Sequence, residues 1–71
     1  MKYNYAKLNG RIVEKCGTQG VFAEKMGMSE VSISKRLNNK LEWRQTEILK
    51  ALKILGLAES DIPVYFFYVE T

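Results

Sequence analysis

Helical periodicity runs through almost the whole chain, and glycine or asparagine interrupts it at intervals. A bundle of short helices is the architecture this pattern allows. Within each piece, apolar residues recur at i, i+3 and i+4, the spacing of one buried helix face. Tyr5, Leu8, Ile12 and Cys16, with Val13 beside them, form the first such face, and Gly17 stops it as a left-handed cap. Thr18 is placed to cap a second helix running from Gln19 through Met26, which Gly27 ends. Ser29 caps a third, with Glu30 in its first turn, where a negative charge suits the helix dipole. Ile33 and Leu37 lie on the inner face of that helix, and Asn38-Asn39 ends it, asparagine being the side chain most tolerant of positive φ. Beyond a loop of Lys40, Leu41, Glu42 and Trp43, the residues Ile48, Leu49, Leu52 and Leu55 point inward, Lys50 and Lys53 stay wet, and Gly56 closes the run. Asp61 is placed to cap a short turn with Pro63 near its start, and the apolar run Val64 to Val69 is too brief to type by period. The predicted fold is all-α: one domain over residues 1–71, four to five short helices, and an aromatic C-terminal tail over about 62–71.

A chain of 71 residues buries only about 60% of its unfolded surface and cannot hold both a core and a deep substrate cavity. No apolar run approaches the ~20 residues that span a bilayer, and the start has no signal-peptide h-region. The single Cys16 forms no internal disulfide and reads as a small buried apolar residue. The absence of histidine removes the usual catalytic triads, the common general base and most zinc sites. The expected class is a cytoplasmic, non-enzymatic module with no metal, no cofactor and no small-molecule substrate.

Net charge is +3, unevenly distributed. Residues 1–28 carry +3, residues 29–53 another +3, and residues 54–71 carry −3 through Glu59, Asp61 and Glu70. A basic body suits a polyanionic partner, with the acidic end turned away from it.

The segment from about 18 to 38 reads as helix, glycine, short turn, cap, helix. Ala23 is small where two helices cross, and Gly27 supplies the positive φ at which the chain leaves the first of them. Phe22, Met26, Ile33 and Leu37 glue the pair, which leaves Glu30, Val31, Ser32, Lys35 and Arg36 on the outer face. A helix with short side chains at its start and bases further along suits the DNA major groove. Trp43 reads as a core or loop anchor rather than a stacking platform.

The run Gln19-Gly20-Val21-Phe22-Ala23-Glu24-Lys25-Met26-Gly27-Met28-Ser29-Glu30-Val31-Ser32-Ile33-Ser34-Lys35 resembles the Cro/repressor (lambda-repressor-like) helix-turn-helix family of phages and bacteria. The likeness covers roughly residues 4–57 and extends to Asn38-Asn39-Lys40 and Trp43 through Ile48. It implies sequence-specific binding to a double-stranded DNA operator by a phage or prophage Cro-like repressor, nucleoid-associated when bound and acting as a homodimer. Carried over, Glu30, Val31, Ser32 and Lys35 fall where that family reads bases, and Gln19, Asn38, Lys40 and Arg44 where it meets phosphates. Two positions depart from the pattern. Asn39 stands where a glycine is frequent, and Glu30 where an uncharged residue is frequent. A carboxylate at that place either accepts from cytosine N4 or caps the helix and stays off the DNA.

The tail sets Tyr65, Phe66, Phe67 and Tyr68 in succession. Phe66, at helical spacing from Ile62, is expected to plug the core, while Tyr65, Phe67 and Tyr68 meet a second copy across a two-fold axis. The competing readings are an antitoxin and a protein-interaction module that keeps the fold without binding DNA. A salt-dependent shift on random duplex DNA separates that last reading from the others.

Overall fold

Two hydroxyls set the starts of the central helices. Thr18 Oγ1 accepts from the N–H of Val21 and Ser29 Oγ from the N–H of Ser32, each at 3.1 Å. The computed structural model describes residues 2–69, and among these every regular element is helical. In order they are α1 (Ala6–Cys16), α2 (Gln19–Met26), α3 (Glu30–Leu37) and α4 (Gln45–Leu55). A 3-10 turn (Glu59–Asp61) and α5 (Ile62–Phe66) complete the chain. Glu70, counted above with the acidic end, lies outside the described residues.

Backbone geometry explains where the helices stop. Gly27 and Gly56 are left-handed at φ 72° and 65°, and Asn39 takes φ 61° after α3. Gly17 also has positive φ, at 86°, but its ψ of −47° puts it outside the left-handed helical region expected of it. Asp61 caps the 3-10 turn, its carboxylate accepting from the N–H of Ala58 at 2.9 Å, and makes no side-chain cap on α5.

The core gathers Leu8 and Ile12 of α1, Phe22, Ala23 and Met26 of α2, Ile33 and Leu37 of α3, and Ile48, Ala51, Leu52 and Leu55 of α4. Phe66 closes it from α5, as its spacing from Ile62 predicts, and Trp43 packs on Phe66 edge to face at 5.3 Å.

Four inward or outward assignments change. Val13 is 59% exposed, and Cys16 is half-buried at the edge of the core. On α4, Leu49 faces out and Ala51 takes the buried place, because the face defined by Ile48, Leu52 and Leu55 passes through position 51. Arg36, expected on the outer face of α3, is only 8% exposed.

Both ends of the described chain converge on the turn after α3. The N–H of Tyr3 donates to Asn39 Oδ1 and Asn39 Nδ2 donates to the carbonyl of Tyr3, each at 2.9 Å. The N–H of Asn4 donates to the carbonyl of Tyr68 at 2.8 Å.

Candidate functional site

The chain turns at Gly27 between α2 and α3, and a groove of about 480 Å³ lies between the start of α2, the outer face of α3 and the loop beyond it. Gln19, Glu30, Val31, Lys35, Asn38 and Lys40 line it, together with Ser34. The groove thus brings together most of the residues marked out by sequence. Ser34 is an addition, and its signal was its place one turn before Asn38. Asn38 Nδ2 donates to the carbonyl of Ser34 at 2.8 Å, tying off the end of α3.

Ser32 and Arg44 do not line the groove. Ser32 is half-buried, and both its hydroxyl and its carbonyl accept from Arg36 Nη1. The Arg36 guanidinium turns inward and grips Glu47 with two parallel bonds, Nε to Oε1 at 3.0 Å and Nη2 to Oε2 at 3.1 Å. Glu47 also accepts from the N–H of Arg44 at 2.8 Å, so one carboxylate caps α4 and ties it to α3. Burial pushes the Glu47 carboxyl up. The Arg44 N–H and the bonds and charge of Arg36 outweigh this and hold it below the ordinary carboxylate value. Arg44 itself is exposed at the N-cap of α4.

The start of α2 is where a phosphate is best received. Here Glu30 lies against it: a Cβ on Gly20 would stand 3.4 Å from Glu30 Oε2. The missing side chain at position 20 leaves room for the Glu30 carboxylate beside the first turn of α2. Gln19 is also engaged, its Nε2 donating to Asn9 Oδ1 at 3.2 Å.

Part of the basic body serves the fold. Arg11 Nε donates to the carbonyl of Leu55 at 2.8 Å and Lys50 Nζ to that of Met26 at 2.9 Å, each at a helix C-terminus where a cation is favoured. Lys35, Lys40 and Arg44 remain exposed, and between Glu30 and Lys35 stands Val31, 65% exposed.

The tail residues divide. Tyr65 is half-buried against the core, and Tyr68 lies under Lys7 Nζ at 5.1 Å from its ring centre. Phe67 is 48% exposed and meets Tyr3 edge to face at 5.5 Å. Among the described residues no helix is long and apolar enough to cross a membrane, and no group of His, Cys, Asp and Glu side chains is arranged to hold a metal ion.

The fold is shared with the solution structure of the modulator of repression (MOR) of the temperate bacteriophage TP901-1 from Lactococcus lactis. The two are 51% identical with a TM-score of 0.84, over 99% of this chain and 97% of that one. No curated protein matches the chain. The family described as a protein of unknown function (DUF739) matches residues 1–69, and the chain belongs to that family.

Proposed function

We propose that the protein modulates repression in a temperate phage by binding a repressor protein through the α2–α3 groove. The observation that carries this reading is the Glu30 carboxylate packed beside Gly20 in the first turn of α2, where its charge opposes the approach of a DNA phosphate. The exposed Val31 supports it, since an apolar side chain between charges of both signs suits a protein surface better than a phosphate backbone. The similar phage protein, a modulator of repression, supplies the context.

Co-sedimentation with the purified repressor of the phage that encodes this protein tests the reading. Val31→Asp weakens that complex at least ten-fold, roughly 1.4 kcal/mol or more, while its thermal melt stays unchanged. A complex indifferent to Val31 removes the groove from the interface.

Direct operator binding is the second reading, favoured by the exposed cations Lys35, Lys40 and Arg44. Three phosphate contacts give a salt slope of roughly −3 per bound chain on duplex DNA. Titrating random and selected duplexes at several salt concentrations reads this slope, and tight binding that follows it favours DNA over a protein partner.

A further inference from the structure

A second concavity, of about 510 Å³, opens beside the loop that follows α3. Two edge-to-face ring pairs build it: Tyr3 on Phe67 at 5.5 Å between ring centres, and Trp43 on Phe66 at 5.3 Å. The amide clamp between Asn39 and Tyr3 holds the first pair in place. The cleft is therefore formed before anything enters it, which lowers the ordering cost of filling it. Two hydrogen-bond donors in its lining have no partner among the described residues. Trp43 Nε1 is buried and unpaired. Tyr5 lines the cleft at 7% exposure, and its hydroxyl makes no hydrogen bond. Burial raises that hydroxyl above its ordinary value, with Tyr3 adding to the effect, so it stays a protonated donor at neutral pH. Side-chain acceptors are scarce. The Asn39 carboxamide is engaged on both atoms by Tyr3, and the Glu42 carboxylate stands in solvent at the rim.

We propose that this cleft binds a proline-rich segment of a partner protein in the polyproline II conformation, backbone carbonyls of the segment accepting from the Tyr5 hydroxyl and from Trp43 Nε1. An ordinary peptide brings one N–H for every carbonyl, and against a lining of donors those N–H groups would lose water and gain nothing. Proline brings the carbonyl without the N–H. The polyproline II helix has no internal hydrogen bonds to break and is formed before it binds, and its rings pack in aromatic-lined grooves. Trp43 is half-buried in the loop before α4, so a slight turn of the indole brings its N–H to the cleft. Lys40 and Glu42 give the rim one charge of each sign, which selects neither an anion nor a cation. A single-stranded nucleic acid, whose bases also stack on rings, needs a positive groove instead. Of the cleft's lining only Lys40 also lines the α2–α3 groove, so this site does not depend on what that groove binds.

Proton–nitrogen NMR on the whole chain tests the proposal, because Trp43 is the only tryptophan and gives a single indole N–H signal. The probe is acetylated octaproline amide. The indole N–H moves downfield on titration and saturates by roughly 5 mM peptide, while octaserine of the same length leaves it unmoved. Tyr5→Phe keeps the ring and removes the hydroxyl. It weakens octaproline binding about five- to ten-fold, the loss of one hydrogen bond. Its thermal melt is unchanged, because the hydroxyl has no partner in the free protein. The comparison of the two peptides on the original protein decides even where the variant unfolds. An indole signal that octaproline does not move, an equal shift with octaserine, or a folded Tyr5→Phe variant that binds as tightly as the original overturns the proposal. So does a larger shift with oligothymidine that fades as salt rises, which assigns the cleft to single-stranded nucleic acid.

Discussion

Asn39 meets two demands that no other side chain satisfies together. Its φ of 61° favours glycine or asparagine, and its carboxamide pairs with both backbone groups of Tyr3. Asn39→Gly keeps the backbone conformation but leaves the Tyr3 groups without their partner, at a cost of about 1–3 kcal/mol. Asn39→Ala loses the clamp and adds the strain of a positive φ, about 1–2 kcal/mol more. Urea midpoints should fall in the order asparagine, glycine, alanine. A glycine variant as stable as the original protein would show that the clamp contributes nothing. The backbone half of this role is legible in the sequence, because an asparagine stands where the chain must leave a helix. The clamp is not, since its partner lies 36 residues away and carries no pattern of its own.

Helices α3 and α4 are joined by a pair of charges that the sequence sets apart. Arg36 lies at i+3 from Ile33 and beside Leu37, so periodicity puts it on the buried face while its chemistry argues for solvent. Glu47 decides the matter, and it is recognisable only once α4 has a start for it to cap. The glycine and hydroxyl signals that bound α2 and α3 act within a few residues, which is why those two helices are readable from sequence and this junction is not. Removing one member of so buried a pair leaves the other unsatisfied, so Glu47→Gln or Arg36→Met should each cost about 3 kcal/mol, far above an exposed pair. The depressed carboxyl also sets a pH dependence. Its folded value lies below its unfolded one, so its contribution is complete above the ordinary glutamate range and disappears as pH falls through that range and past the folded value. Acid titrations followed by circular dichroism should show a steeper loss in the original protein than in Glu47→Gln. Parallel curves would assign the acid sensitivity to other carboxylates.

Over the whole molecule a ring that fills the core and a ring that faces solvent are adjacent in sequence. Phe66 is fully buried and Phe67 stands half in solvent. Phe66→Ala should cost about 3–5 kcal/mol, against a total of roughly 4–10 kcal/mol for a chain of this size. It should therefore lose most of its cooperative melt near room temperature. Deleting residues 68–71 removes the Asn4–Tyr68 bond and the Lys7–Tyr68 contact, about 1–2 kcal/mol together, and should leave a folded protein with a lower melting temperature. A truncated chain that unfolds completely would make the tail a structural strap. Helical spacing from Ile62 singles out Phe66 in the sequence, but nothing there pairs Tyr68 with the opposite end of the chain. That pairing has a topological consequence. With the backbones of residues 4 and 68 hydrogen-bonded to each other, the polypeptide enters and leaves the fold at a single point. Such a unit tolerates circular permutation, and it can be spliced into a surface loop of another protein without forcing the ends of that loop apart.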